Sequence, residues 1–455
     1  MSLVEQLAEF VVTASYEDIS QAARKALKIR VLDSLGCAIG ALSGEPIQYI
    51  REHINDFGGS ERCTLIGGGK TAPDRAAFYN CALVRYLDFN DSYIAKGETC
   101  HPSDNLGAVL AASEYAKCSG REFLTGLAVA YQVQCRLSDV APVRARGFDH
   151  TTQGSYAAAA GISKVLGLNA AQTANAIAIS GTAFNALRVT RTGALSHWKG
   201  LAYPNTAFCA THASFLAMRG ITGPREVFEG NKGFMDSIAG RFTLDWSRED
   251  LERVNRTIIK KYNAEIHSQS SLEGILQLQE EHRLRPEDIS HIEIVIFDVA
   301  YHIIGGGEEG DKAHVRTKEE ADHSLPYMVA AALLDNEVTP AQYRPERIRG
   351  EDVQTLLRKI SVKPLKEYNE FFPERMPARL TVIMKYGKVF SIEKNDYEGF
   401  HTRPMSWERV ADKFAGLSKP FTGDALRREI TDAVQDLENI PVSELTGLLA
   451  KVKVS

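Results

Sequence analysis

The chain of 455 residues has no basic run, no long uninterrupted apolar stretch and no paired cysteines, and each absence removes a class of function. With 53 Lys and Arg against 58 Asp and Glu the formal charge is -5, so nothing favours the polyanionic surface of a nucleic acid, and no nucleic-acid partner is expected. The opening residues Met1-Ser-Leu-Val-Glu-Gln-Leu lack a basic region and a continuous apolar segment. Neither a signal peptide nor a membrane span is therefore expected, and a cytoplasmic protein with no membrane partner is the reading. The seven cysteines, Cys37, Cys63, Cys81, Cys100, Cys118, Cys135 and Cys209, are scattered and form no Cys-x-x-Cys pair. That pattern argues against an iron–sulfur cluster or structural zinc and suits small buried side chains. The runs Gly67–Gly69 and Gly305–Gly307 lack the flanking strand, helix and Lys-Ser/Thr of a nucleotide site and read as turns.

What is present is a long, largely apolar chain (44% hydrophobic), enough for two or three domains with a substantial core. Up to about residue 265 the pattern is helical. Ser15-Tyr-Glu-Asp18 resembles a capping box before apolar positions Ala23, Leu27, Val31, Leu35 and Ile39 at helical spacing, with Gly36, Gly40 and Ala41 suited to close helix contact. Further helices are expected over Ala76–Leu87, Leu106–Lys117, Gly120–Leu137, Gly154–Leu166 and Ala170–Ala183; their Ala-rich composition fits burial against other helices.

Near residue 268 the texture changes. A helix over Ser268–Glu281 precedes the strand signal His291–Asp298, and Leu380–Met384 and Val389–Ile392 flank Tyr386-Gly-Lys388 as a hairpin. Helices over Ser324–Leu334 and Asp352–Ile360 lie between them, and Ser406–Leu417 and Asp424–Val452 are helical again. The fold class expected is mainly α with a second α+β domain: an all-helical domain over 1–266, a smaller α+β, lid-like domain over 267–400, and C-terminal helices over 401–455 returning to the first.

The chemistry-bearing window is Val84 to Asn105, which packs Asp88, Asp91, Ser92, His101 and Asp104 together. Read as the end of a helix over Tyr86–Tyr93, it places Asp88 and Ser92 four apart on one face. Pro102 suits the first turn of the next helix, which Ser103 or Asp104 can cap, so that its free N–H groups point towards His101. Cys100 beside His101 shows no activating pattern for a nucleophile beyond adjacency. Three other stretches place polar groups in apolar settings. Arg188, Arg191 and Lys199 form a cationic stretch suited to a polyanion, Lys260 to His267 lies at the expected domain junction, and His323 stands at a helix start.

Leu87-Asp-Phe-Asn-Asp-Ser92 followed by His101-Pro-Ser-Asp-Asn105 resembles the signature of the MmgE/PrpD family. Gly147-Phe-Asp-His150 is similar to the family's Gly-Leu-Asp-His, Ala264-Glu-Ile-His267 to its Ala-Glu-Phe-His, and Asp322-His-Ser-Leu-Pro-Tyr-Met328 to its Asp-His-Cys-Leu-Gln-Tyr-Met. The resemblance runs in order from about residue 5 to 400. Asn263 replaces the usual proline, and the arginine loop matches poorly between Thr192 and Lys199. The resemblance implies a large all-α domain, a smaller α+β domain, a cleft between them and a homodimer. It also implies a lyase with no metal, iron–sulfur or organic cofactor, acting on a small-molecule polycarboxylate.

On that basis the expected activity is dehydration of a 2-methylcitrate-like tricarboxylate to a cis-aconitate-type alkene. The reaction needs removal of a proton α to a carboxylate, neutralisation of the enolate-like carboxylate, and departure of a hydroxyl. Asp88 and His101 are the proton-transfer pair, with base and acid not distinguished, and Ser92 is placed to bind the hydroxyl. Arg188, Arg191, Lys199 and Lys260 are assigned to the carboxylates, with Lys199 and Lys260 counted in the catalytic group. Asp91, His150, His267 and His323 are further substrate-binding candidates. Decarboxylation of cis-aconitate and epimerisation of an iminodisuccinate are the alternatives within the family, since all pass through a stabilised carbanion. A metal-dependent hydrolase with Asp88, Asp91, His101 and Asp104 as ligands, and a non-catalytic helical binding protein, are the alternatives outside it.

Overall fold

Small residues decide how the helices of this protein pack. The computed structural model describes residues 1–193 and 195–453, and the chain divides into two compact units. One comprises Met1–Thr190, Gly200–Ile258 and the stretch from Ser406 onward; the other comprises Arg191–Lys199 and Ile259–Met405.

The first unit is helical. Its main helices are α1 (Leu3–Thr13), α2 (Gln21–Gly40), α3 (Glu45–Phe57), α4 (Pro73–Tyr86), α5 (Leu106–Ala116), α6 (Gly120–Val140), α7 (Thr151–Val165), α8 (Ala170–Ala183) and α9 (Trp198–Met218), the last beginning with two residues counted in the other unit. Helix α7 buries Ala157, Ala158, Ala159 and Ala160 completely; side chains this short let it lie close to α6 and α8. The cap of α2 is Ser20, whose hydroxyl accepts from Ala23 N at 3.1 Å, a contact worth about 1 kcal/mol. Ser15 and Asp18 instead close a turn of their own before it, so the expected capping box sits one turn too early.

Three C-terminal helices, α13 (Trp407–Ser418), α14 (Asp424–Gln435) and α15 (Val442–Leu449), belong to the helical unit. The helical stretch expected over Asp424–Val452 holds two helices, separated by a short turn and Pro441, which precedes α15 and cannot donate a helical hydrogen bond. Helix α13 lies along α2, and the closeness depends on two glycines. A Cβ at Gly36 would stand 3.1 Å from Phe414 Cα, and one at Gly40 would stand 3.2 Å from Leu87 Cδ1 and 3.3 Å from Leu417 Cβ.

The second unit is α+β. Strand β3 (Ile289–Ile296) sits inside a four-stranded sheet, with β4 (Ile360–Pro364) parallel on one side, β5 (Ala378–Met384) antiparallel on the other, and β6 (Val389–Lys394) antiparallel at the edge. Buried Ile292, Ile294 and Ile296 on β3 face the same way as Leu380 and Val382 on β5, and helices α10 (Gln269–His282) and α11 (Leu325–Asp335) pack within this unit. A mainly helical protein with a smaller α+β part is therefore the architecture. The helix expected over Asp352–Ile360 is shorter, α12 (Glu351–Leu357), and the chain turns at Arg358-Lys359 to enter β4, where its backbone pairs with β3.

Among the described residues all seven cysteines are free thiols, and all but Cys209 are buried. Among the described residues no helix is long and apolar enough to cross a membrane.

Candidate active site

Helix α4 opens with Pro73 in its first turn and stops at Tyr86. It stops because Asp88 adopts φ +52°, a left-handed conformation in which Asp is among the better-tolerated residues. The helix expected to run to Tyr93 therefore does not form, and Asp88 and Ser92 do not share a helical face. The chain instead enters a hairpin, β1 (Tyr93–Ala95) and β2 (Glu98–Cys100), turning at Gly97 with φ +90°. The hairpin returns the backbone to His101, after which Pro102–Asn105 forms a tight 3-10 turn leading into α5.

The hairpin brings His101 back to the end of α4. There Arg85 joins the groups: its Nη1 donates to Asp88 Oδ1 at 2.6 Å, its Nη2 lies 3.4 Å from His101 Nε2, and its Nε lies 3.8 Å from Asp104 Oδ2. All four side chains are buried. His101 Nδ1 is 2.8 Å from the carbonyl oxygen of Asp91 and 3.1 Å from Ser92 Oγ. A carbonyl only accepts, so the proton belongs on Nδ1; Arg85 only donates, so the lone pair belongs on Nε2. Arg85 was not singled out in the sequence, where an arginine three residues before an aspartate on a helix usually signals a solvated pair.

The neighbouring acids are used by the scaffold. Asp91 Oδ1 accepts from Ser103 N at 3.0 Å and Oδ2 from Tyr131 Oη at 2.8 Å, while burial raises its pKa above the ordinary carboxylate value. Asn90 Nδ2 donates to Ser103 Oγ and to Asp104 Oδ1, both at 2.8 Å. Neither Ser103 nor Asp104 makes the expected side-chain cap to α5, because the 3-10 turn takes up the first turn of that helix.

His150 stands at the start of α7 with its ring edge-on to His101, centroids 5.4 Å apart, and its Nε2 is 3.6 Å from Asp149 Oδ1. Asp149 N donates to Ala186 O and Arg188 N to Gly147 O, both at 2.9 Å, so the segments carrying His150 and Arg188 run side by side. Glu98 is buried nearby, accepting from Val143 N and Arg144 N; burial raises its pKa, opposed in part by the Val143 N–H and by Arg188.

A second set of charges lies within the α+β unit. Lys199 Nζ donates to Asp322 Oδ1 at 2.8 Å and is 2.9 Å from His323 Nδ1, and Lys318 holds Asp322 Oδ2 at 2.9 Å. Burial alone would raise the Asp322 pKa, but Lys199, Lys318 and His323 outweigh it and hold the carboxyl well below the usual range. Lys260 is completely buried and Arg191 nearly so. Glu265 accepts His267 N–H at 2.7 Å through Oε2 and meets His267 Nδ1 at 2.7 Å through Oε1. Burial opposes its ionisation, yet His267, His323 and Lys260 bring it down to about 2. The Nε2 of His267 is buried with no hydrogen-bond partner among the described residues. Burial lowers the Lys312 pKa, with Lys199 adding to the effect and Glu309, Glu265 and Asp322 opposing it. Glu265 and Lys312 were not among the residues assigned a role from the sequence, although Glu265 lies in the quoted Ala264–His267 stretch.

The chemical capacity of these groups is proton transfer at a buried imidazole and neutralisation of anionic groups by buried lysines. Comparison with known proteins places them in context. Residues 5–247 match the MmgE/PrpD N-terminal domain and residues 262–439 the MmgE/PrpD C-terminal domain. The mitochondrial 2-methylcitrate dehydratase of Yarrowia lipolytica is 26% identical over 99% of this chain and 90% of its own length. The 2-methylcitrate dehydratase of Escherichia coli (strain K12) is 26% identical over 95% and 94%, and the cis-aconitate decarboxylase of Mus musculus is 26% identical over 93% and 88%. The chain therefore belongs to the MmgE/PrpD family and is an enzyme of the lyase kind that its relatives' names describe.

Proposed function

We propose that the protein is a hydro-lyase that needs no cofactor and removes water from a 2-methylcitrate-like tricarboxylate to give a cis-aconitate-type alkene. The observation that carries the reading is the Asp88–Arg85–His101 arrangement, which leaves a lone pair on His101 Nε2 beside a guanidinium. Asp88, ion-paired to Arg85, is unsuited to act as the acid. His101 Nε2 takes the proton α to a carboxylate, the C–H electrons form the alkene, and the C–O bond breaks. The imidazolium then returns that proton to the departing hydroxyl, so the water released balances the reaction and the enzyme regains its starting state. Asp88 offsets the positive charge that His101 acquires, and Ser92 holds the hydroxyl. Arg188 neutralises a substrate carboxylate, His150 contacts the substrate, and Asp91 serves the scaffold.

A decarboxylase is the second reading, favoured by the equal 26% identity to the mouse cis-aconitate decarboxylase. Incubation with citrate, both 2-methylcitrate diastereomers and cis-aconitate, read by mass spectrometry together with carbon dioxide release, separates the two. Loss of water from a hydroxylated tricarboxylate without carbon dioxide supports dehydration. Carbon dioxide from cis-aconitate, with no dehydration, replaces it by the second reading.

A further inference from the structure

We infer that Lys413, on the C-terminal helix α13, is a positioning residue for Asp88, acting through the backbone carbonyl of Phe89. The inference rests on the proposed role of Asp88 and adds to it a group more than three hundred residues away in the chain. Lys413 Nζ lies 2.7 Å from Asp33 Oδ1 on α2 and donates to Phe89 O at 2.8 Å. The same ammonium stands 3.7 Å from the centroid of the Phe89 ring. Asp33 and Phe89 are buried, and Lys413 is 9% exposed at its side chain.

The position of these contacts gives them their meaning. Phe89 is the residue immediately after Asp88, whose φ of +52° ends α4 and aims its carboxylate at Arg85. Aspartate tolerates that conformation better than most non-glycine residues, and the contacts on either side of it hold the bend. On one side of the bend Leu87 packs against Gly40 of α2 and on the other Lys413 grips the Phe89 carbonyl and ring. Asp33 fixes the ammonium in place and balances its charge within the buried setting. Helices α2 and α13 thus clamp the backbone on both sides of Asp88. No part of Lys413 is required to touch the substrate.

The test uses the full-length protein with three variants: Lys413→Met, Lys413→Arg and the double variant Asp33→Asn with Lys413→Met. The double variant guards against a folding failure, because it removes both buried charges while still abolishing the grip on Phe89. The expected result is a fall in kcat on the order of 10- to 100-fold in Lys413→Met and in the double variant, with KM nearly unchanged. Lys413→Arg, which keeps the charge and a donor, recovers most of the loss. A second readout does not depend on turnover: the histidine ring NMR signal of His101, assigned with His101→Gln, shifts in the double variant. Full kcat in the folded double variant overturns the inference, as does an unmoved His101 signal or a Lys413→Arg no better than Lys413→Met. If the parent turns over no tricarboxylate, the dehydratase reading fails, while the NMR signal still decides whether Lys413 positions this bend.

Discussion

Arg85 Nη1 lies 2.6 Å from Asp88 Oδ1 with both side chains buried, so a salt bridge closes the last turn of α4 where the backbone leaves the helix. Removing one member of a buried pair leaves the other charge without compensation, at a cost of about 3–5 kcal/mol. Arg85→Met is therefore expected to lower unfolding free energy by about that amount and kcat by roughly 10²–10⁴-fold. Arg85→Lys keeps the charge but loses the fork that meets Asp88 and His101 at once, and restores stability more than turnover. Denaturant unfolding and steady-state kinetics check both; full turnover in Arg85→Lys shows that the bridge is dispensable.

The tautomer of His101 is a separate expectation. Asp91 O accepts from Nδ1, and Arg85 faces Nε2, so the neutral ring carries its proton on Nδ1. Long-range nitrogen–proton NMR on selectively labelled protein is expected to give a protonated Nδ1 and an unprotonated Nε2 at neutral pH. The opposite pattern removes Nε2 as the base.

Glu265 makes the stability pH-dependent. Its pKa falls from an ordinary 4.5 to about 2 in the folded state. The unfolded chain then binds more protons between those values, so stability rises with pH across that interval. The contribution is complete above about 4.5 and is lost as pH falls through about 2. In Glu265→Gln this part of the dependence disappears, and urea unfolding measured across the interval gives a flatter curve than the parent.

The texture of the two units was readable because it rests on local pattern. Ala170–Ala183 coincides with α8, where Asn169 caps the first turn, and the alternation around Tyr386-Gly-Lys388 gives the β5–β6 hairpin. What was not readable depends on partners distant in sequence. Ile360, the last residue of the helix expected over Asp352–Ile360, instead opens strand β4, where it pairs with Ile292 of β3. The window holding Asp88 and His101 stood out by composition, whereas Arg85, which joins them, did not. Its role needs the left-handed Asp88 and the hairpin that folds His101 back, and neither leaves a periodic signature. Lys413 is a more extreme case: nothing in the amphipathic pattern of α13 separates it from a solvated lysine.

The most direct test of the proton-transfer account is the turnover of His101→Gln on whichever tricarboxylate the parent dehydrates, measured by product mass spectrometry on protein shown to be folded. The account predicts a loss on the order of 10²–10⁴-fold in kcat. A His101→Gln enzyme that turns over within about threefold of the parent would contradict it.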